Sequence, residues 1–350
     1  MTSSRARWAV LGSSDFATEW IAPAVRASSR GTLEAIISRD AAVARRIADR
    51  LGAPLAVTSI SELPAGAVDV VHIVAPNELH EPLALEAASC GLNILVEKPM
   101  APSVASARRM ADAAREAGVL LAAGHCMAWA PPVVRAAEAI RDGSIGTVVS
   151  ATIAASFDSP PAGQWRQLRA TEDGGGPLQD LGPHMVDVLL RLLGPIREVT
   201  AALDRVAYDY AAEDTSTTLL RFASGAHAVM QASFACSQND LSIQGTGGRL
   251  TSREWLGRDF AGELSWTPAD RGVGTFGPDD HPTDPLSYQL RRQNVYLPQV
   301  DNVSAAILDG TALAVTPEQG IAVLRVLEAA IRSAREGRTV PVADDRGQAG

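Results

Sequence analysis

Lysine is almost missing from this sequence of 350 residues. Thirty of its 31 basic residues are arginine, and Lys98 is the single lysine. An ammonium group is compact and can lose its proton when it is desolvated, whereas a guanidinium group stays charged. The lone lysine therefore marks a position where arginine does not suffice, with chance retention as the alternative.

Cysteine and long apolar runs are also scarce. Three widely spaced cysteines without a C-x-x-C pair argue against a disulfide framework and against a thiolate zinc site. No run of the sequence approaches the roughly 20 apolar residues that a membrane span needs, and the segment before the first predicted strand is too short for a signal peptide. We therefore expect a cytoplasmic protein without a membrane partner.

Positive charge is outnumbered, with 40 acidic against 31 basic side chains and a formal net charge of −9. Such a surface repels nucleic-acid phosphates, so we expect no nucleic-acid partner. Hydrophobic residues make up 46% and charged residues 20%, which is typical of a globular rather than a disordered chain. At about 150 residues per domain, the length predicts two domains.

Strand-like and helix-like segments alternate in the first third of the sequence. The predicted strands are Arg7–Leu11, Leu33–Ile37, Val68–Val74, Asn93–Val96 and Val119–Ala123, and the predicted helices are Asp15–Ala27, Ala41–Leu51, Glu81–Ser89 and Ser103–Glu116. Five strands alternating with helices are typical of a doubly wound parallel sheet. We therefore predict an α/β fold with an N-terminal Rossmann domain over residues 1–124.

The pattern changes in the second part, residues 125–350. From Thr147 onward, longer runs alternate polar and apolar residues, which predicts antiparallel strands with one covered face. We expect three helices to pack on this second sheet: Pro177–Leu193, Val300–Leu308 and Pro317–Arg335. Gly262–Pro285 is rich in Gly, Pro and Asp, so it is predicted as a long surface loop.

A dinucleotide-binding turn is predicted between the first strand and the first helix. The segment reads Gly12-Ser13-Ser14-Asp15-Phe16-Ala17, and backbone N–H groups at such a helix start can hold a pyrophosphate. Ser14 replaces the second glycine of the usual fingerprint, whereas Ala17 keeps the small residue that helix packing requires. An ordinary strand–helix turn is the alternative. The expected cofactor contacts are Gly12, Ser13, Ser14, Phe16 and Ala17.

The second predicted strand ends at Ser38 and Arg39, where an NAD-binding chain usually carries an acidic residue. A hydroxyl and a guanidinium group would bind the 2′-phosphate that a carboxylate repels. We therefore prefer NADP to NAD as the cofactor. In the alternative interpretation, Arg39 is a solvated charge or stacks on the adenine without discriminating between the two.

Two more polar segments follow the third and fourth predicted strands. They are Ala75-Pro76-Asn77-Glu78-Leu79-His80 and Glu97-Lys98-Pro99. Both are expected at the carboxyl edge of the sheet, where doubly wound folds bind ligands. We therefore add further residues to the expected cofactor site: Ala75, Pro76, Asn77, His80, Glu97 and Lys98.

A glycine-rich segment completes a pattern that resembles the Gfo/Idh/MocA family, the group of glucose–fructose oxidoreductase and inositol dehydrogenase. It runs Gly174-Gly175-Gly176-Pro177-Leu178-Gln179-Asp180-Leu181-Gly182-Pro183-His184. Glu97-Lys98-Pro99, Ser38-Arg39-Asp40 and Trp165-Arg166 also look like the family pattern, which spans nearly the whole chain. The resemblance implies a second α/β domain with a large, mostly antiparallel, open-faced sheet that often forms the oligomer interface. A homodimer or homotetramer is therefore expected.

The resemblance further implies hydride transfer between nicotinamide and a carbinol or keto carbon of a sugar, cyclitol or sugar nucleotide. On this pattern Lys98, Asp180 and His184 match the family's catalytic trio. Oxidation of a CH–OH group requires a base for the hydroxyl proton and positive potential for the alkoxide, which suits imidazole and ammonium. A surface ion pair or a metal-ligand pair is the alternative for Asp180 and His184, although we expect no metal.

Three further residues are expected to contact substrate: Trp165, Arg166 and His125. A structural tryptophan stacked on arginine is the alternative for the first two, and a pocket wall or core packing for His125. The sequence departs from many relatives at Ala128-Trp129, where an arginine that precedes an aromatic residue is missing. A cofactor contact at that position is therefore not carried over.

Pro183 leaves two interpretations of the segment between Asp180 and His184. Either one helix is kinked there, or a new helix begins with Pro183 in its first turn. In the second case His184 would lie near a positive helix end, which would lower its pKa and keep it a neutral base.

Other functions are also compatible with this sequence. The same residues fit a redox-assisted lyase or glycosidase that regenerates its nicotinamide, a cofactor-binding protein without turnover, or a metal enzyme.

Overall fold

The computed structural model describes residues 5–260, 263–269, 286–289 and 293–343. Its contacts divide the chain into two compact units. The first unit takes the chain up to Cys126 together with Asn294–Leu324, and the second takes Met127–Gln293 together with the residues from Arg325 onward.

The first unit is built on a six-stranded parallel sheet. Its strands are β1 (Ala6–Leu11), β2 (Gly31–Ile37), β3 (Leu55–Val57), β4 (Val70–Ile73), β5 (Asn93–Glu97) and β6 (Leu121–Gly124). They lie in the order β3-β2-β1-β4-β5-β6, and all five neighbouring pairs are parallel. This order is the Rossmann topology, so the predicted doubly wound fold is confirmed.

Helices α1 (Ala22–Ala27), α2 (Ala41–Leu51), α3 (His80–Ser89) and α4 (Val104–Ala117) connect these strands. Their ends follow local chemistry, as α2 shows. Asp40 accepts the N–H groups of Ala42 and Val43 at the start of that helix, and Gly52 ends it in the left-handed conformation.

Two local features differ from the sequence prediction. Strand β3 was not predicted because it has three half-buried residues and pairs only with β2 at the sheet edge. The predicted helix after β1 contains a π-helical turn at Ala17–Ile21, in which Ala22 N–H donates to Ala17 C=O. Pro23 has no N–H group to continue the regular pattern, which favours this wider turn.

The second unit contains α5 (Pro131–Arg141), β7 (Val148–Ser156), α6 (Trp165–Leu168), α7 (Gly176–Leu193), β8 (Ile196–Asp204), β9 (Thr215–Phe222), β10 (His227–Ser233), β11 (Gln238–Gly245), β12 (Gly248–Ser252), β13 (Asp259–Phe260), β14 (Glu263–Pro268) and β15 (Leu286–Gln289). The chain continues with β16 (Gln293–Asn294), α8 (Tyr296–Asp309), α9 (Pro317–Glu336) and β17 (Val340–Pro341).

A nine-stranded sheet dominates the second unit, in the order β15-β14-β12-β11-β7-β10-β9-β8-β17. Its neighbouring strands are antiparallel apart from β7 and β10. Helix α7 packs on β7, β9 and β10, whereas Val149 and Leu219 are 54% and 42% exposed on strands β7 and β9. The predicted large, mostly antiparallel and open-faced sheet is therefore confirmed.

Helix α8 lies elsewhere than expected. The prediction that the helix around Val300–Leu308 packs on the second sheet is wrong, because α8 packs on α1, β1 and β2 of the first unit. The buried Trp8 Nε1–H donates to Ser304 Oγ at 3.0 Å, which gives the indole its polar partner inside the core.

The predicted surface loop Gly262–Pro285 also needs correction. Glu263–Pro268 form strand β14, which pairs with β12 and β15. Most of the remaining predicted loop lies outside the described residues.

None of the helices in the described ranges is long and apolar enough to cross a membrane. All three cysteines, Cys90, Cys126 and Cys236, are free thiols.

Gly12 directly follows β1, at a point where the chain approaches the loop after β4. Its φ of +147° is rare for residues with a side chain, and a Cβ atom there would overlap the carbonyl oxygen of Val74. Gly52 also has a positive φ, of +71°, but a Cβ atom there would have open space.

We therefore expect Gly12→Ala to destabilise the protein by roughly 3 kcal/mol or more. The matched variant Gly52→Ala carries only the left-handed strain, about 1 kcal/mol. Thermal melts of the two variants test this difference, and a Gly12→Ala melting temperature equal to or above that of Gly52→Ala would contradict it.

Candidate functional site

The strand register brings several predicted residues to one edge of the parallel sheet. Leu11 is paired with both Ile37 and Ile73, and Ile73 is paired with Val96. The residues just beyond this row therefore end neighbouring strands at the same level. Because neighbouring strands are about 4.8 Å apart, the turn after β1 and the loop after β5 lie about 10 Å apart along this edge.

The Gly12 turn fits a dinucleotide pyrophosphate. Gly12 N–H donates to Ile37 C=O at 3.0 Å, and the helix starts within three residues of the turn. The first N–H groups of a helix have no partner within it, so they face the position that a phosphate would take. Ser14 Oγ accepts the N–H of Ala17 at 3.3 Å. The residue that replaces the second glycine thus serves as a cap, while Ser13 is exposed and Ala17 is buried.

Phe16, the remaining residue predicted from this turn, contacts α8. Its ring packs edge-on against Tyr296, with ring centroids 5.5 Å apart. Tyr296 is only 5% exposed. Phe16 therefore joins the start of the first helix to α8 within the first unit.

At the end of β2, Ser38 is buried and Arg39 is exposed. Ser38 N–H donates to Val57 C=O at 3.2 Å, which ties this end of β2 to β3. The carboxylate of the following Asp40 is occupied as the α2 cap described above. Asp40 Oδ1 thus serves as the α2 cap, and the exposed guanidinium of Arg39 is the positively charged group of this loop.

His80 joins the two loops after β4 and β5. Its Nε2 lies 2.9 Å from Ala75 C=O and its Nδ1 lies 3.0 Å from Pro99 C=O. Burial lowers its pKa, against the opposing effect of these carbonyl groups. The ring is completely buried, so His80 holds the two loops in place rather than touching a bound dinucleotide. Ala75, Pro76 and Asn77 remain at least partly exposed.

Lys98 is half-buried directly after β5. The Glu97 carboxylate before it is buried, accepts the Lys98 N–H at 3.4 Å, and lies 3.1 Å from His72 Nε2. Glu97 thus faces the sheet interior. Glu97 therefore connects His72 on β4 to the backbone N–H of Lys98. The sequence did not indicate this contact of His72.

His125 follows β6 and is 1% exposed. Its N–H donates to Ala123 C=O at 3.0 Å. This burial matches the interpretation as core packing better than a direct substrate contact. No cluster of three or more His, Cys, Asp or Glu side chains that could hold a metal occurs in the described ranges.

In the second unit, α7 carries both Asp180 and His184. It is one 18-residue helix with Pro183 inside it. The hypothesis that a new helix begins at Pro183 is therefore wrong, and His184 lies in the middle of a helix rather than near a positive end. Gly182 lets the helix approach α9, because a Cβ atom there would come within 2.9 Å of Leu327.

Arg166, one of the predicted substrate contacts, pairs with Asp180. Its Nε lies 3.5 Å from Asp180 Oδ2, and the two side chains are 28% and 14% exposed. The structure thus brings together two predicted residues that lie on different helices, α6 and α7. Trp165 begins α6.

Gln167 secures the segment that carries Arg166. It is 3% exposed, its Oε1 accepts the N–H groups of Ala162 and Gln164, and its Nε2 donates to Ser159 Oγ and Tyr210 Oη. A single glutamine in a polar segment gives no indication in the sequence that it holds the surrounding backbone in place. Only its position next to Trp165-Arg166 could have indicated it.

Two family models match this chain. The model described as oxidoreductase family, NAD-binding Rossmann fold, matches residues 6–125, and the GFO/IDH/MocA C-terminal domain model matches residues 133–251. The chain is 31% identical over 338 residues to D-xylose 1-dehydrogenase (NADP(+)) 2 of Haloferax volcanii, covering 95% of this chain and 98% of that protein.

Two solved structures are similar over nearly their whole length. Aldose-aldose oxidoreductase from Caulobacter crescentus complexed with glycerol gives a TM-score of 0.86 at 27% identity, covering 96% of this chain and 99% of that one. GenD2 from gentamicin A biosynthesis in complex with NAD gives a TM-score of 0.80 at 32% identity, covering 98% of both chains.

These matches confirm the resemblance that the sequence motifs indicated. The Rossmann sheet, the helix-start turn and the open-faced second sheet are the corresponding structural features. The chain belongs to the GFO/IDH/MocA family and is an oxidoreductase that uses a nicotinamide dinucleotide.

Proposed function

We propose that this chain transfers a hydride between NAD(P) and a carbinol or keto carbon of a sugar, cyclitol or sugar nucleotide. The observation that carries the proposal is the place of Lys98, the single lysine, at the ligand-binding edge of the Rossmann sheet two strands from the Gly12 turn. The similarity to enzymes named for xylose and aldose substrates supports this substrate class.

We propose Lys98, Asp180 and His184 as the catalytic residues. His184 takes the hydroxyl proton during oxidation and returns it in reduction. Lys98 donates a hydrogen bond to the reacting oxygen and stabilises its negative charge. Asp180 orients these groups and balances their charge, and Arg166 holds its carboxylate. The hydride would be accepted or supplied by the nicotinamide of the cofactor when it is bound.

We expect Lys98→Met to lower kcat on the order of 10³-fold, because the alkoxide loses its charge partner. The dissociation constant for NADP should change far less than kcat, since the Gly12 turn remains intact. Steady-state kinetics and fluorescence titration of the cofactor measure the two effects. Arg115→Met, which removes an exposed cation on α4 paired with Asp112, is the control and should keep full activity.

Retention of wild-type kcat by Lys98→Met would refute the catalytic assignment. Substrate conversion that depends on Lys98 without net change in nicotinamide absorbance would point instead to a redox-assisted lyase.

We propose NADP as the preferred cofactor. Arg39 stands exposed beside Ser38, and the neighbouring Asp40 accepts two backbone N–H groups of α2 through its Oδ1. A guanidinium group at this position favours a 2′-phosphate over a free ribose hydroxyl. The relative from Haloferax volcanii is named for NADP(+), whereas the GenD2 structure contains NAD, so both dinucleotides occur among similar proteins.

We expect Arg39→Ala to raise KM for NADP by about 10- to 100-fold, since one charge-assisted phosphate contact is lost. KM for NAD should change less than about threefold. Arg50→Ala, at the opposite end of α2, is the control and should change neither value. An equal rise for NADP and NAD would show that Arg39 does not read the phosphate.

We propose that the open face of the large sheet binds a second copy of the chain, in a homodimer or homotetramer. The register aligns Thr152, Val229, Leu219 and Thr200 on β7, β10, β9 and β8. This row is uncharged, and Leu219 is 42% exposed in its middle. Exposed apolar side chains within a broad sheet face are typical of association surfaces.

We expect Leu219→Arg to shift the protein to monomers, because two buried guanidinium groups would meet across a symmetric interface. Light scattering after size exclusion measures the mass. Val206→Arg is the control, since Val206 is 73% exposed and lies outside the strands. A Leu219→Arg variant with the wild-type mass would rule out this face.

The three free cysteines favour a reducing compartment, so we also propose a cytoplasmic location.

A further inference from the structure

Glu213 is a buried carboxylate just before β9 that the catalytic residues do not include. It is 4% exposed. Its Oε1 accepts Leu178 N–H at 2.9 Å, and its Oε2 accepts a hydrogen bond from Thr171 Oγ1. Burying a carboxylate costs free energy unless hydrogen bonds offset the loss of water. These two hydrogen bonds therefore indicate a structural role for Glu213.

Glu213 caps the start of α7, although it lies far from this helix in the sequence. The N-cap residue of α7 is Gly175, which has no side chain to accept a hydrogen bond, and Pro177 has no N–H group. Leu178 N–H is a donor of the first turn, of the kind that an Asp or Ser side chain at the N-cap would normally accept. Glu213 supplies this acceptor from 35 residues further along the chain.

The glycine run is shaped around this carboxylate. A Cβ atom at Gly176 would overlap the carboxylate of Glu213, and a Cβ atom at Gly175 would overlap Arg169 C=O. Gly174 and Gly176 also have positive φ values, of +91° and +80°. Gly175 and Gly176 therefore leave room for the backbone of Arg169 and for the carboxylate of Glu213, and Gly174 adopts the left-handed conformation before them.

We propose that Glu213 is the positioning residue for α7, the helix that carries Asp180 and His184. Glu213 fixes the first turn of α7 against the 3₁₀ turn at Thr171–Asp173. Asp180 lies two residues after Leu178, so displacement of the first turn displaces its carboxylate directly. The proposal rests on the proposed function of Asp180 and His184. It assigns Glu213 no contact with substrate or cofactor.

The charge state of Glu213 is sensitive to pH. Burial raises its pKa to about 7, and the nearby Glu172 adds to this effect. The Thr171 hydroxyl, the Leu178 N–H and the Glu213 N–H act in the opposite direction. Between pH 4.5, the ordinary pKa of a glutamate, and about pH 7, Glu213 is therefore protonated in the folded protein but ionised in the unfolded chain. The contribution of Glu213 to stability is therefore full below pH 4.5 and is lost as the pH rises to about 7.

The first test compares Glu213→Ala and Glu213→Gln with the wild-type protein, using hydrogen exchange of peptides over residues 174–186 without substrate. We expect Glu213→Ala to accelerate exchange in the first turn of α7 at least about tenfold, because Leu178 loses its acceptor. Glu213→Gln should restore most of the protection, since its amide oxygen can accept the same hydrogen bond. Wild-type exchange in Glu213→Ala would overturn the proposal.

The second test measures kcat and KM. We expect Glu213→Ala to lower kcat about 10- to 100-fold with little change in KM, and Glu213→Gln to recover kcat. Asp187→Asn is the control, because Asp187 is an equally buried carboxylate further along α7, paired with Arg191 at 2.9 Å. It should lower the melting temperature without changing kcat. Faster exchange in Glu213→Ala with an unchanged kcat would reduce Glu213 to a structural role and overturn the proposal.

Two readouts cover the remaining outcomes. If Glu213→Ala does not fold, Glu213→Asp decides, because its carboxylate is one methylene shorter and loses reach to Leu178 N–H. Faster exchange in the first turn of α7 is expected for Glu213→Asp, and wild-type exchange would overturn the proposal. Lys98→Met should leave the exchange of α7 unchanged. Full activity of Lys98→Met would refute the proposed catalytic assignment, whereas the exchange of Glu213→Ala reports on the cap alone.

Discussion

The parallel register of the Rossmann sheet is the constraint on which the cofactor side of this protein depends. Because β1, β2, β4 and β5 end at one level, the loops that follow them share one edge. The order of the strands reverses beside β1, which opens the space for a ligand there. Any slip of one strand would move its loop away from the others and separate Lys98 from the Gly12 turn.

Buried polar groups hold these loops in place. The two ring nitrogens of His80 lie within 3.0 Å of carbonyl oxygens from the two loops, and the pair of His72 and Glu97 lies beneath the Lys98 turn. Each group is shielded from water, so the loss of one partner would leave another unsatisfied. The second unit uses the same device, since Glu213 fixes the first turn of α7 and Arg166 faces Asp180 on that helix.

Much of this architecture could be predicted from the sequence. Apolar strands and helices with clear caps, such as α2 between Asp40 and Gly52, carry strong local signals. The motifs around Lys98, Asp180 and His184 indicated the family, which the comparisons confirmed. The individual roles of these residues and the boundary after residue 124 stay predictions.

Other features depend on contacts that no local pattern encodes. The edge strand β3 is too short to show a period, and α8 has an apolar face that either sheet could have covered. The glycine run was predicted only as part of the family pattern, whereas two of its glycines make room for Glu213 and Arg169, which lie outside the run. His72 and its partner Glu97 lie on neighbouring strands, so no local pattern of the sequence indicates their contact.

The central claim is that this chain exchanges a hydride between a nicotinamide dinucleotide and a polyhydroxylated substrate. The most direct measurement is the absorbance of reduced nicotinamide when the wild-type protein is mixed with NADP or NAD and a panel of aldoses, cyclitols and nucleotide sugars. The account predicts net reduction of the dinucleotide by at least one of these compounds, in equal amount to the oxidised product. Tight binding of the dinucleotide without any reduction across the panel, together with no oxidation of NADPH or NADH by the corresponding keto compounds, would contradict it.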